Sequence, residues 1–137
     1  MAPHATKTLQ LDFAVVDIFD DYFVVTMDEG LLFGRSQLNE LYKLFNSYFP
    51  DSPFGYISNR INDYTVDPTS YFDTEDGPWL SAIAIMCYSE TGYSNALFEQ
   101  TFYKNRPFKP FYKMEECIEW LKMNVKNHQP ETSEVIL

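Results

Sequence analysis

The sequence predicts an α/β domain: a mixed, mainly parallel sheet of four or five strands, with an N-terminal antiparallel hairpin and flanking helices. Three observations carry this expectation. The chain opens on a period-two alternation, switches to helical spacing, and later holds a nearly unbroken apolar run from Leu80 to Tyr88. Strands that alternate with helices imply crossover connections, which pair strands in parallel.

From Lys7 the alternation places Leu9, Leu11, Phe13 and Val15 on one face of a strand, with Thr8, Gln10 and Asp12 opposite. Asp20-Asp21 read as a turn, and Tyr22 to Met27 as the second hairpin strand. Leu38, Leu41, Tyr42, Phe45 and Phe49 then recur at helical spacing, with Ser36 as N-cap and Pro50 as stop. Phe54 to Ser58 reads as a short strand. Asp67-Pro68 reads as an N-cap and first helical residue, opening a brief helix that Gly77-Pro78 ends.

The Leu80 to Tyr88 run lacks alternation and suits a strand covered on both faces. Ser94 is the expected cap of a helix bearing Leu97, Phe98, Thr101 and Phe102. Phe108 to Tyr112 is an extended piece that Pro107 and Pro110 confine to an edge. The last helix starts near Met114, with Glu115 and Glu116 in its first turn and Lys122 and Lys126 in its last. Its inward stripe is Met114, Ile118, Leu121 and Val125, and fraying is expected from Asn127. The chain thus divides into a loose leader (1–6), a single domain (7–127) and a flexible tail (128–137).

At 137 residues the chain is one domain in length, and its 45% apolar and 18% aromatic content excludes disorder for most of it. A net charge of −10 argues against nucleic acid or an anionic membrane as the main partner. No apolar stretch is long enough to insert in a membrane. Cys87 and Cys117 match no zinc spacing and read as free buried thiols, which with the lack of a signal core makes a reducing cytoplasm the expected location.

Catalytic chemistry finds little support. The two histidines, His4 and His128, fall in the expected loose ends, where no imidazole is held against a nucleophile. The glycines form no phosphate-binding motif, and the acidic run Asp73, Glu75, Asp76 lacks the glycine and glutamate positions of a calcium loop, so it reads as a solvated helix end. Neither a metal nor another cofactor is expected. Lys104, Arg106, Lys109 and Lys113 lie among aromatics, a pattern better read as helix-end charge and core rings than as a nucleic-acid surface, though docking of an acidic partner stays open.

The candidate site is the rim beyond two strand ends, where open α/β sheets bind ligands. After the third strand it comprises Ser58, Asn59, Arg60, Asn62 and Tyr64; after the central strand, Cys87, Tyr88 and Ser89. Arg60 could clamp a carboxylate or phosphate, or pair with a neighbouring aspartate while Asn62 caps a turn.

The hairpin, the run from Phe54 to Pro68 (with Phe-Gly-Tyr-Ile-x-x-Arg-Ile-Asn-x-Tyr at its start) and the strand Ala82 to Tyr88 resemble the STAS-domain family. The branch resembled is a small bacterial one of the Bacteroidetes type, grouped with CRAL-TRIO-like domains, and the likeness runs over residues 9–126. The resemblance implies a mixed sheet with flanking helices and no established activity. STAS domains resemble anti-sigma-factor antagonists, which bind a kinase-like partner and are switched at a serine in an Asp-Ser-Ser/Thr-Gly sequence. Here the matching stretch is Ser58-Asn59-Arg60-Ile61-Asn62, without that aspartate or glycine, so no phosphoserine is carried over. CRAL-TRIO kinship implies a lipid or small apolar ligand, with Tyr56, Tyr64, Tyr88 and Trp79 as its expected pocket; the chain is short for a closed lipid cavity. The expected function is a non-enzymatic module that binds a protein partner, the alternative being a small-ligand binder. A homodimer is left open.

Overall fold

A computed structural model describes residues 5–72 and 75–129. Its main sheet has six strands: β1 (Lys7–Gln10), β2 (Ala14–Ile18), β3 (Tyr22–Met27), β5 (Phe54–Asn59), β7 (Leu80–Met86) and β8 (Phe108–Phe111), in that spatial order. The first three pair antiparallel, and β3–β5, β5–β7 and β7–β8 pair parallel. Two-residue strands β4 (Leu32–Phe33) and β6 (Thr65–Val66) form a separate parallel pair.

The sheet exceeds the expected four or five strands because the opening run is not one strand. The Leu11 N–H donates to the Ala14 carbonyl at 2.8 Å and closes a turn within it. Phe13 and Ala14 are then buried in succession, and Val16 and Ile18 rather than Val15 point into the core. The alternation survives, but with its parity reset by the turn.

Helix α1 (Arg35–Tyr48) buries the expected Leu38, Leu41, Tyr42 and Phe45, and ends at Phe49 before Pro50. Its cap is Gly34 rather than Ser36: the Gly34 N–H donates to the Gln37 side-chain oxygen at 2.9 Å. Asp67 caps a 3-10 turn, Pro68–Tyr71, by accepting the Thr69 N–H. That turn ends at Phe72, well short of Gly77. Helix α2 (Glu90–Gln100) is capped five residues before the expected Ser94, at Ser89, which accepts the Gly92 N–H at 3.0 Å. Helix α3 (Met114–Lys126) begins where the sequence places it.

Helix α1, through Phe45 among others, and Ala96 of α2 share a core with Phe23, Phe54, Ile83 and Ile85, whereas α3 packs through Cys117 and Leu121 on a second core with Ile57, Ala82 and Ala84. All seven residues of β7 are buried, as a strand covered on both sides requires. Both thiols are free and buried. Within the expected α3 stripe only Leu121 is fully buried; Cys117 joins it, while Met114, Ile118 and Val125 are half-buried.

Gly55 sets how closely α3 approaches the sheet. A Cβ there would lie 2.8 Å from Leu121 Cδ2, and Leu121 is itself fully buried. Gly55→Val is therefore expected to lower stability by about 1–3 kcal/mol, the usual overpacking range, measured by urea unfolding.

Beyond α3, the His128 side chain is held against the start of β7. Its Nε2 lies 2.8 Å from the Pro78 carbonyl, its Nδ1 2.9 Å from Ser81 Oγ, and its ring stacks on Trp79 at 5.7 Å. Since a carbonyl only accepts, Nε2 carries the proton and the serine hydroxyl donates to Nδ1 in the neutral ring. His128→Ala should release the last turn of α3 at a cost of about 1 kcal/mol, seen as faster amide exchange over residues 124–127. His4 and Asp73 lie outside the described residues.

Asp76 also departs from expectation. It is buried rather than solvated, accepts the Tyr103 hydroxyl at 2.7 Å and lies 3.6 Å from Arg106. Arg106 donates to the Leu80 and Gly77 carbonyls, each at 2.7 Å, so it braces this loop. Among the described residues no helix is long and apolar enough to cross a membrane.

Candidate functional site

Strands β5 and β7 lie side by side and end level, with Asn59 opposite Met86. The chain leaves β5 through Arg60–Tyr64 and leaves β7 through Cys87–Ser89 into α2. At the carboxyl ends of neighbouring parallel strands the outgoing segments can wall a crevice. Here the crevice is a half-open cleft of about 400 Å³.

Six of the eight sequence-predicted residues line it: Arg60, Asn62, Tyr64, Cys87, Tyr88 and Ser89. Ser58 and Asn59 stand behind the wall and hold it. Ser58 Oγ is 3.2 Å from the Tyr64 hydroxyl and accepts from Arg60 Nε at 3.1 Å. Asn59 donates to Thr26 Oγ1 at 3.2 Å and accepts the Tyr88 hydroxyl at 2.6 Å. Asn62 donates to the Met27 carbonyl at 2.9 Å, which fixes the loop against the end of β3. Ser89 is occupied as the α2 cap, and Cys87 Sγ points to the Ile85 carbonyl at 3.6 Å. Burial pushes the Cys87 thiol pKa up, against a smaller pull downward from Arg60.

Arg60 does not wait for an anion or pair with a neighbouring aspartate. Its Nη1 and Nη2 both engage the carboxylate of Glu99, which lies 39 residues further along on α2. The two side chains are only 11% and 5% exposed. Tyr71 donates a further hydrogen bond to Glu99 Oε1 at 3.1 Å. Burial works against the Arg60 charge, but Tyr64 and Glu99 raise its pKa well above the ordinary value, so it stays protonated. Burial, reinforced by Glu99, likewise keeps Tyr71 a phenol and therefore a donor. A bidentate pair in which one carboxylate oxygen also accepts from Tyr71 is a structural floor, not a free clamp.

Glu99, Tyr71 and Phe98 were not visible as site residues in the local sequence. A signal for Glu99 existed: it shares the buried side of its helix with Ala96, and a carboxylate on such a face needs a partner.

The expected aromatic pocket does not form. Tyr64 and Tyr88 line the cleft, but Tyr56 packs in the core with its ring 5.0 Å from Phe45, and Trp79 stacks on His128 beside the start of β7. A different set of rings takes the surface. Tyr88 is 51%, Phe98 59% and Phe72 49% exposed. Phe102 joins the last two, 5.1 Å from Phe98 and 5.7 Å from Phe72, so an aromatic ridge runs from the cleft mouth. Among the described residues no cluster of three or more His, Cys, Asp or Glu could hold a metal ion.

No family model matches the sequence, and no curated protein matches it. Among solved structures, the chain is similar to an uncharacterised protein of the DUF3478 family with a SpoIIAA-like fold, from Shewanella loihica. The two superpose with a TM-score of 0.53 at 15% identity, over 79% of this chain and 91% of that one. At that identity the likeness speaks to architecture alone. The mixed sheet with its antiparallel start, parallel continuation and flanking helices is therefore a SpoIIAA-like, or STAS, fold.

Proposed function

We propose that the chain is a non-catalytic binding module that recognises a protein partner at the carboxyl-end cleft. The observation that carries this reading is the ridge leading off the cleft mouth, in which half-buried Phe102 joins the exposed rings of Phe98 and Phe72. Contiguous exposed rings beside a concave site are unfavourable in water and typical of macromolecular interfaces. The non-catalytic part draws support from how the cleft's reactive groups are spent: Glu99 is held by Arg60 and Tyr71, and the Cys87 thiol is kept protonated. Ser58 is buried against Arg60 and Tyr64, which fits a module without the usual phosphoserine switch. Two free thiols fit a reducing cytoplasm.

The cleft volume favours a second reading, a small ligand, since about 400 Å³ falls within the usual range for such sites. Capture from extracts of the source organism separates the two. The partner reading expects a protein retained by the wild type and by Met123→Ser on α3, and lost with Phe98→Ser. Retention by Phe98→Ser, or a small molecule found near one-to-one by native mass spectrometry, would favour the alternative.

A further inference from the structure

The electrostatics of the cleft narrow what the partner inserts there. Its floor pair, Arg60 and Glu99, cancels internally. The lip is acidic: Asp63 lines the cleft, and its N–H donates to Glu29 Oε1 at 3.3 Å, so a second carboxylate stands beside it. Both are exposed, and among the described residues neither forms a salt bridge with a basic side chain. Arg60 is the one basic residue in the lining, and its charge is taken. The N-terminus of α2 also faces the cleft, but Ser89 accepts the Gly92 N–H and Glu90 occupies the first turn, so its dipole is already answered. The exposed rings of Tyr88 and Phe98 complete the walls, while the Tyr64 ring already carries the Arg60 guanidinium 5.6 Å from its centroid. Carboxylates at a lip with rings around them suit a cation, above all a guanidinium, which stacks on rings while it bonds to carboxylate.

We propose that the cleft seats a basic side chain, an arginine or lysine, from a partner segment that lies along the Phe98–Phe102–Phe72 ridge. The proposal rests on the partner reading above and names its chemistry. A chain of net charge −10 attracts such a partner at long range, and the cleft then selects one side chain from it.

The test is an amide NMR titration of the full chain with capped Gly-Arg-Gly, capped Gly-Glu-Gly and inorganic phosphate. Gly-Arg-Gly should shift the amides of Asp63, Gly92 and Asn95 along a saturable curve that weakens with added salt, while the two anions leave them in place. Asp63→Asn combined with Glu29→Gln, or Phe98→Ala alone, should each weaken that binding about fivefold or more. Shifts of the same amides by phosphate or Gly-Glu-Gly would overturn the proposal, and so would unsaturable shifts scattered over the acidic surface. The two levels fail separately. A captured partner lost with Phe98→Ser but indifferent to loss of the Asp63 and Glu29 charges sinks the basic side chain alone, whereas retention by Phe98→Ser sinks the partner reading itself.

Discussion

Glu99→Ala is expected to cost about 3–5 kcal/mol of folding stability, the range for removing one partner of a buried ion pair. The cause is what it leaves behind. Arg60 would remain under the cleft with only Ser58 as acceptor, and Tyr71 would lose the acceptor of its 3.1 Å hydrogen bond. Arg60→Met should be similarly costly, because Glu99 would keep a buried charge answered only by Tyr71. The double variant Arg60→Met/Glu99→Leu should recover much of the loss, since an apolar pair of similar volume carries no stranded charge. Urea unfolding of the four proteins checks this. A Glu99→Ala cost under about 1 kcal/mol would mean that the pair behaves like an exposed one, and the description of a dry cleft floor would be wrong.

Phe45→Ala is expected to cost about 3–5 kcal/mol for a different reason: it empties the centre of the α1-side core. Phe45 is fully buried, with ring centroids 4.2 Å from Phe23, 5.0 Å from Tyr56 and 6.0 Å from Phe54. No polar partner is stranded, so the loss is one of transfer and cavity and should not be relieved by any second change on the cleft side. Phe98→Ala makes the contrast: an exposed ring on α2, its loss should change stability by no more than about 0.5 kcal/mol. Equal losses for the two would contradict the burial pattern described here.

What the sequence disclosed follows the range over which each signal acts. The dryness of β7 was legible because seven consecutive apolar or small residues have no other soluble home in a chain of this kind. The Asp67-Pro68 cap was legible because cap and first-turn residue are adjacent. The turn inside the opening run was not, because Leu11, Asp12 and Phe13 keep the alternation going while the backbone reverses. The start of α2 was misplaced because Ser89 and Ser94 are equally good caps, and Gly92 between them resembles a loop; in place, its N–H is the one that Ser89 accepts. Strands β4 and β6 are two residues long, too short for any period. The position of the rim was legible from strand order alone, but its chemistry was not. Whether Arg60 is free or taken depends on Glu99, 39 residues away, which only the fold brings to it. The partner is thus a glutamate on a distant helix, where the sequence offered an outside anion or a neighbouring aspartate, and the floor it makes is neutral.

Site-specific photo-crosslinking probes the proposed meeting of this STAS-fold chain with another protein at the carboxyl-end cleft. A benzophenone side chain is placed at position 98 on the ridge, or at position 123 on α3, and each protein is irradiated in extracts of the source organism. One discrete protein adduct is expected from position 98 and none from position 123. Adducts from position 123 alone, or no difference between the two positions, would contradict it.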